Sequence, residues 1–186
     1  MESMRRSIFL VLSFLAVSGH AAADHRDPRL KALFNQLAVV RTAPEAGLLS
    51  AQISAVWQQS GSATSDLLMQ RSADAVEAQD FDTAMKLLNA VAEMMPEYAE
   101  VYFRRADLLL RMDSPQEAGT DLIKAVRLEP RDFRAHALIG RLADNAGQSA
   151  PALAAYRRAL ELNPMLESVM KRATELAIQE QRKSDL

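Results

Sequence analysis

Pro96, Pro130 and Pro164 stand 34 residues apart, and the chain between them keeps step with that spacing. Twelve residues before each proline is an alanine (Ala84, Ala118, Ala152), and eight before is a large apolar residue (Leu88, Leu122, Tyr156). Five before stands Val91, Ala125 or Ala159, and 24 before stands Ser72, Ala106 or Gly140. A fixed period carrying a small–large–small–proline code marks supersecondary units that bury their apolar faces only by stacking. The predicted chain is a helical solenoid whose business is contact, not chemistry.

Composition agrees with helices. Of the 186 residues, 49% are hydrophobic but only 5% aromatic, and alanine and leucine dominate, which disfavours a sheet protein. A formal net charge of −2 gives no global bias toward nucleic acid. The chain has no cysteine, which excludes disulfides, thiolate chemistry and cysteine-ligated zinc. It also excludes the acylated cysteine of a bacterial lipoprotein.

Residues 1–23 read as an export signal: Arg5 and Arg6, then an apolar core of 12 residues from Ser7 to Ser18, then Ala21-Ala22-Ala23 before Asp24. The core is short for a membrane span, which needs about 20 apolar residues. Cleavage leaves no span and 20 basic against 23 acidic residues (22 less Arg5 and Arg6; 24 less Glu2). The expected address is the periplasm or outside the cell. The alternative is an uncleaved anchor in the inner membrane.

Local signals divide each period into two helices. The repeats span residues 65–98, 99–132 and 133–166, with first helices ending near Gln79, Met112 and Asn145. Ser114-Pro115-Gln116-Glu117 has the form of a capping box with proline at the first helical position. Gly147 suits a left-handed turn before Ser149 and Pro151 restart the chain, and Asp80 or Asp82 caps the second helix of repeat one. Ser72, Ala106 and Gly140 are expected to face Ala84, Ala118 and Ala152, letting backbones approach closely. Residues 167–186 continue the register through Ala173 and Thr174 and then turn polar, as a capping helix and tail with Lys171, Arg172 and Glu175 toward water. Residues 24–64 carry Leu30, Leu33, Phe34 and Leu37, then Ile53, Val56 and Trp57. They read as a degenerate fourth hairpin in which Trp57 falls where a small residue belongs, with Ser60-Gly61-Ser62 as a break before repeat one.

Over residues 65–166 this code resembles the tetratricopeptide repeat family, most closely in repeat three (Gly140, Ala152, Tyr156, Ala159, Pro164). It departs at the early aromatic of helix one, held by Leu68, Tyr102 and His136, and at the later tyrosine, replaced by Ala75, Leu109 and Ala143. The N-terminal segment also resembles that of small exported alphaproteobacterial members. The resemblance implies an all-α, right-handed superhelical solenoid with a C-terminal capping helix, whose first helices line a concave, peptide-binding groove. Its groove positions map to Asp66, Met69, Ala73 and Glu77, to Phe103, Arg104, Asp107 and Arg111, and to Arg134, Ala137, Leu138 and Arg141. Arg104, Arg111, Arg134 and Arg141 are thus expected to form an exposed basic strip near Phe103, able to fork onto a partner's carboxylates. Chaperone-binding members clamp a C-terminal carboxylate with lysine, asparagine, asparagine, lysine and arginine. The matching residues here are Met69, Ala73, Arg104, Arg134 and Leu138, so that clamp is absent.

Catalysis finds little support. Downstream of the signal only His25 and His136 remain, without ligand partners at helical spacing. There is no phosphate loop, and no Ser-His-Asp set can be nominated. Asp80-Phe81-Asp82 starts like a calcium loop but lacks its glycine and distal glutamate. Seven methionines survive signal removal and read as core fillers, with Met69 the candidate for a binding surface. The expectation is a non-catalytic exported adaptor without cofactor or metal. It would hold a protein or peptide partner with an acidic segment, within an envelope assembly or trafficking pathway, through Met69, Phe103, Arg104, Asp107, Arg111, Arg134 and Arg141. The alternative is a homodimer formed by the N-terminal hairpin.

Overall fold

A computed structural model describes residues 27–184, so the export-signal reading of residues 1–23 and the neighbourhood of His25 lie outside it. Among the described residues there are nine helices: α1 (Pro28–Leu37), α2 (Ala43–Trp57), α3 (Ala63–Glu77), α4 (Phe81–Met94), α5 (Ala99–Arg111), α6 (Pro115–Leu128), α7 (Phe133–Asn145), α8 (Ser149–Leu162) and α9 (Glu167–Ser184). The pairs α3/α4, α5/α6 and α7/α8 pack within themselves, and α4 on α5, α6 on α7 and α8 on α9 link them into one stack. No helix among the described residues is long and apolar enough to cross a membrane.

Side-chain oxygens start many of these helices. Asp27, Thr42, Ser62 and Asp80 accept from the backbone N–H of Arg29, Glu45, Ser65 and Thr83, and Asp132 accepts from both Arg134 and Ala135. The capping box expected at Ser114 is not made: the residue holds the N-cap position, but its side chain makes no capping bond. Asp113 just before it is left-handed (φ 57°), and so are Gln79 (φ 60°) and Gly147 (φ 72°), one full repeat away on either side. The turn between paired helices therefore demands the left-handed conformation at all three positions, and only the third repeat supplies glycine. Gln79→Gly should raise stability by up to about 1 kcal/mol, because relief of a β-carbon clash outweighs the added freedom of the unfolded chain. Urea unfolding checks this; a destabilised variant would show that the glutamine side chain contributes contacts of its own.

The small residues lie where close approach requires them. Ala84, Ala106, Ala118 and Ala152 are fully buried, as is Ser72. A β-carbon on Gly140 would lie 2.5 Å from Tyr156 Cδ1, inside any acceptable contact. Successive repeats are also stapled by equivalent polar tips. The Tyr102 hydroxyl donates to the Pro96 carbonyl at 3.1 Å, and His136 Nε2 lies 3.1 Å from the Pro130 carbonyl. The early aromatic position thus works by reaching back six residues, and histidine can serve it.

At the C-terminal end, Ala173 and Leu176 of α9 are buried against α8. Lys171 faces water as expected, and Arg172, with a side chain 38% exposed, is also tied down by ion pairs. It donates to both Asp144 oxygens at 2.6 and 2.8 Å, and this pairing holds the Asp144 carboxyl below its ordinary value.

The N-terminal hairpin departs most from expectation. Helices α1 and α2 pair, but they do not extend the stack beyond repeat one. Leu30, Leu37, Ala46, Ile53, Val56 and Trp57 instead bury themselves against Phe133 and against Leu162, Met165 and Leu166 of the third repeat. The physical reason is Trp57. An indole where neighbouring helices need a methyl group prevents backbone approach, so the apolar face finds a surface with room for the ring.

Candidate protein-interaction surface

The residues that the groove positions nominate fall into two environments. In the first, Ser72, Ala73, Val76 and Glu77 of α3 and Arg104, Asp107 and Arg111 of α5 line an open cleft of about 240 Å³. Leu88 and Leu108 also line it, beside the charged Glu77, Arg104, Asp107 and Arg111. Arg111 pairs with Asp107 one helical turn away at 3.2 Å, with both side chains well exposed at 54% and 42%. Such an exposed pair contributes little to stability and is readily exchanged for a ligand's charges. Arg104 donates to Glu100 at 2.8 Å and is 30% exposed.

The second environment surrounds Arg134, and it is closed. Its guanidinium donates to Glu100 at 2.6 Å and to Asp132 at 2.8 Å, and both carboxylates are almost wholly buried. The plane lies between two rings, with centroids 4.0 Å away at Phe103 and 4.5 Å away at Trp57. Burial opposes the charge, yet Asp132 and Glu100 more than offset it and hold the guanidinium above its ordinary value.

The expected four-arginine strip is therefore corrected. Arg104 and Arg111 share the open cleft, Arg134 is a buried junction only 19% exposed, and Arg141 is exposed but lines a separate cleft beside Ile139 and Leu142. The strip breaks because Glu100 and Asp132, one helical turn or less from the arginines, claim them internally. Met69 is corrected as well: it is 7% exposed within the core of the first two repeats and offers no surface. Asp66 accepts the Ser60 N–H and hydroxyl at 2.9 and 2.6 Å, fixing the linker ahead of α3.

Sequence reasoning missed the residues that bind α2. Trp57 Nε1 donates to Glu129 at 3.1 Å, Arg134 donates to Ser54 at 3.5 Å, and Asn163 donates to Ser50 at 3.0 Å. Phe34, Trp57 and Phe133 form a ring cluster with centroids 5.8 to 6.4 Å apart, and the Arg131 guanidinium covers Phe34 at 4.9 Å. One signal was available. Glu129 and Asn163 are equivalent polar residues immediately before the repeat prolines, and both are 2% exposed, whereas Met95 holds that place in repeat one.

With this geometry in view, the chain is similar to known repeat proteins in sequence and in shape. It matches the tetratricopeptide repeat family over residues 75–142 and again over 133–164. It is 32% identical over 156 residues to a TPR repeat-containing protein of Rhizobium etli, covering 84% of this chain and 76% of that one. Among solved structures, the first TPR of Spaghetti bound to the HSP90 peptide SRMEEVD aligns with a TM-score of 0.59 at 18% identity, over 63% of this chain and 96% of that one. The Yersinia enterocolitica type III secretion chaperone SycD, in complex with a peptide of the translocator YopD, aligns with a TM-score of 0.58 at 14% identity, over 66% and 96%. At these identities the structural likeness shows the fold alone.

Proposed function

The chain belongs to the tetratricopeptide repeat family, and from that premise we propose that it is a non-catalytic adaptor holding an extended segment of a protein partner between α3 and α5. The observation that carries this reading is the open cleft itself, lined by the apolar Val76, Leu88 and Leu108 and by Arg104, Asp107 and Arg111. Neighbours in shape hold peptides, and one of those peptides, SRMEEVD, carries three acidic residues. Arg111 and Arg104 offer the complementary charge, with Arg111 free to leave Asp107 for a ligand carboxylate. The export signal read in residues 1–23 supports a site of action in the cell envelope, within an assembly or trafficking pathway.

Arg111→Glu should abolish capture of the partner from an envelope extract, and capture by the unaltered protein should weaken as salt rises. The fold should survive, since exposed substitutions shift stability by less than about 0.5 kcal/mol. Undiminished, salt-insensitive capture, or capture only from cytosol, would count against the reading. A second reading, self-association through the hairpin, draws on Val39 and Leu48, which are 73% and 68% exposed. Light scattering of the mature protein separates the two.

A further inference from the structure

We propose that Arg104 and Arg111 are two anchored forks that read a pair of acidic side chains in the partner, set three residues apart with uncharged residues between them. The proposal rests on the adaptor reading of the α3–α5 cleft and names what that cleft selects. It follows from which guanidinium nitrogens are already in use. Arg29, Arg105, Arg134 and Arg172 each donate from Nε and from both terminal nitrogens, so their forks are spent on the fold. Arg104 and Arg111 donate from Nε alone, to Glu100 and Asp107 at 2.8 and 3.2 Å, each an acid one turn earlier on α5. Among the described residues nothing accepts from their terminal nitrogens.

A bond from Nε leaves the opposite edge of the guanidinium, with its two parallel N–H groups, open to one carboxylate. It also holds the stem, so less side-chain freedom is lost when a ligand arrives. Glu100 is a firm hold: its side chain is 1% exposed, and its second oxygen accepts from Arg134 at 2.6 Å. Arg104 is therefore the rigid fork. Arg111, on the longer bond and 54% exposed, is the adjustable one. The seven residues of helix between them span about 10 Å. An extended ligand with three residues per turn returns to the same face after about 9 Å, so acids at i and i+3 meet both forks. Asp107 lies between the forks on α5 and Glu77 lines the cleft from α3, so a further carboxylate between the two is repelled. Val76, Leu88 and Leu108 favour an apolar residue there instead.

The probe is a fluorescein-labelled peptide, Gly-Glu-Ala-Leu-Glu-Gly, titrated with the full-length protein and read by anisotropy. Replacing either Glu by Gln should weaken binding about tenfold, the worth of one charge-assisted pair. Peptides with the two acids adjacent, or with Glu in place of the central Ala, should lose as much. Arg104→Lys and Arg111→Lys keep the charge and lose the fork, and each should weaken the parent peptide about tenfold. Each lysine variant should then cost nothing further with the peptide whose matching Glu is already Gln, a coupling that a merely structural role would not produce. Equal binding of the Gln peptides, of the adjacent acids or by the lysine variants overturns the proposal, and so does no binding by any peptide. The peptide series uses the unaltered protein, so it decides the matter even where a variant fails to fold. A flat series alongside loss of envelope capture in Arg111→Glu refutes the forks and keeps the adaptor. A graded series with no capture from the extract keeps the forks and refutes the envelope partner.

Discussion

Arg134→Glu is expected to destabilise the protein by about 3–5 kcal/mol, the cost of breaking a buried ion pair from one side. The side chains of Glu100 and Asp132 are 1% and 4% exposed, and Arg134 is the cation that both share. A glutamate there brings three carboxylates together with little water to separate them. It also removes the flat cation between Trp57 and Phe103, loosening the hairpin's seat. Arg134→Met is the more discriminating variant. It keeps the stem's volume and adds no repulsion, so any loss it shows is the price of taking the shared cation from Asp132 and leaving Glu100 to Arg104 alone. Arg134→Lys keeps the charge but loses the fork and the stacking plane, and should fall between the wild type and methionine. Urea unfolding of the three variants tests the ordering; wild-type stability for Arg134→Met would mean that water reaches Glu100 and Asp132. A fold-neutral charge reversal belongs at Arg111, not here.

The contrast between those two arginines shows what a sequence can disclose. Whether an arginine in the first helix of a repeat is free depends on what covers it, and the cover comes from far along the chain. Ser54 is 80 residues from Arg134, Trp57 is 72 from Glu129, and Ser50 is 113 from Asn163. Periodicity sees only neighbours at one repeat's distance, so it placed Arg134 correctly on its helix and wrongly in solvent. Trp57 was visible as a misfit in the register, but a misfit says only that the hairpin does not stack normally. Glu129 and Asn163 before the prolines were the remaining clue, since each is buried, and beyond the local bonds from Arg131 and the Met165 N–H each still has capacity that α2 meets.

Local stop and start signals were legible to the same limited degree. Asp80 caps α4 through the Thr83 N–H, as its position suggested. Ser114 holds the same place after the same left-handed turn, which its N–H closes on the Leu109 carbonyl as the Asp80 N–H does on Ala75, yet its side chain makes no capping bond. Arg172 looked like one more polar residue on a terminal helix and is instead paired with Asp144 on α7, 28 residues away.

The small positions were legible as close-approach sites, although the nearest neighbour of Gly140 is Tyr156 where Ala152 was expected, and they carry the second large effect. Gly140→Ala should cost about 1–3 kcal/mol, the usual range for overpacking a tight contact. The new β-carbon would lie 2.5 and 2.6 Å from Tyr156 Cδ1 and Cε1, and the ring, 5% exposed, cannot move out into solvent without unpacking. Ala118→Leu tests the same geometry one repeat earlier, where the alanine is fully buried and a leucine must push α5 and α6 apart. Thermal unfolding reads both, at about 2–4 °C per kcal/mol for a domain of this size. The decisive measurement is a double-mutant cycle. Tyr156→Leu alone loses ring contacts, but it also opens the space that a methyl group on Gly140 needs. Paired with Gly140→Ala it should lose less than the sum of the two single changes, by 0.5 kcal/mol or more, because residues in direct contact are coupled by about 0.5–3 kcal/mol. Strict additivity would mean that the α7–α8 contact yields elsewhere, and that the glycine is held for some reason other than the approach of Tyr156.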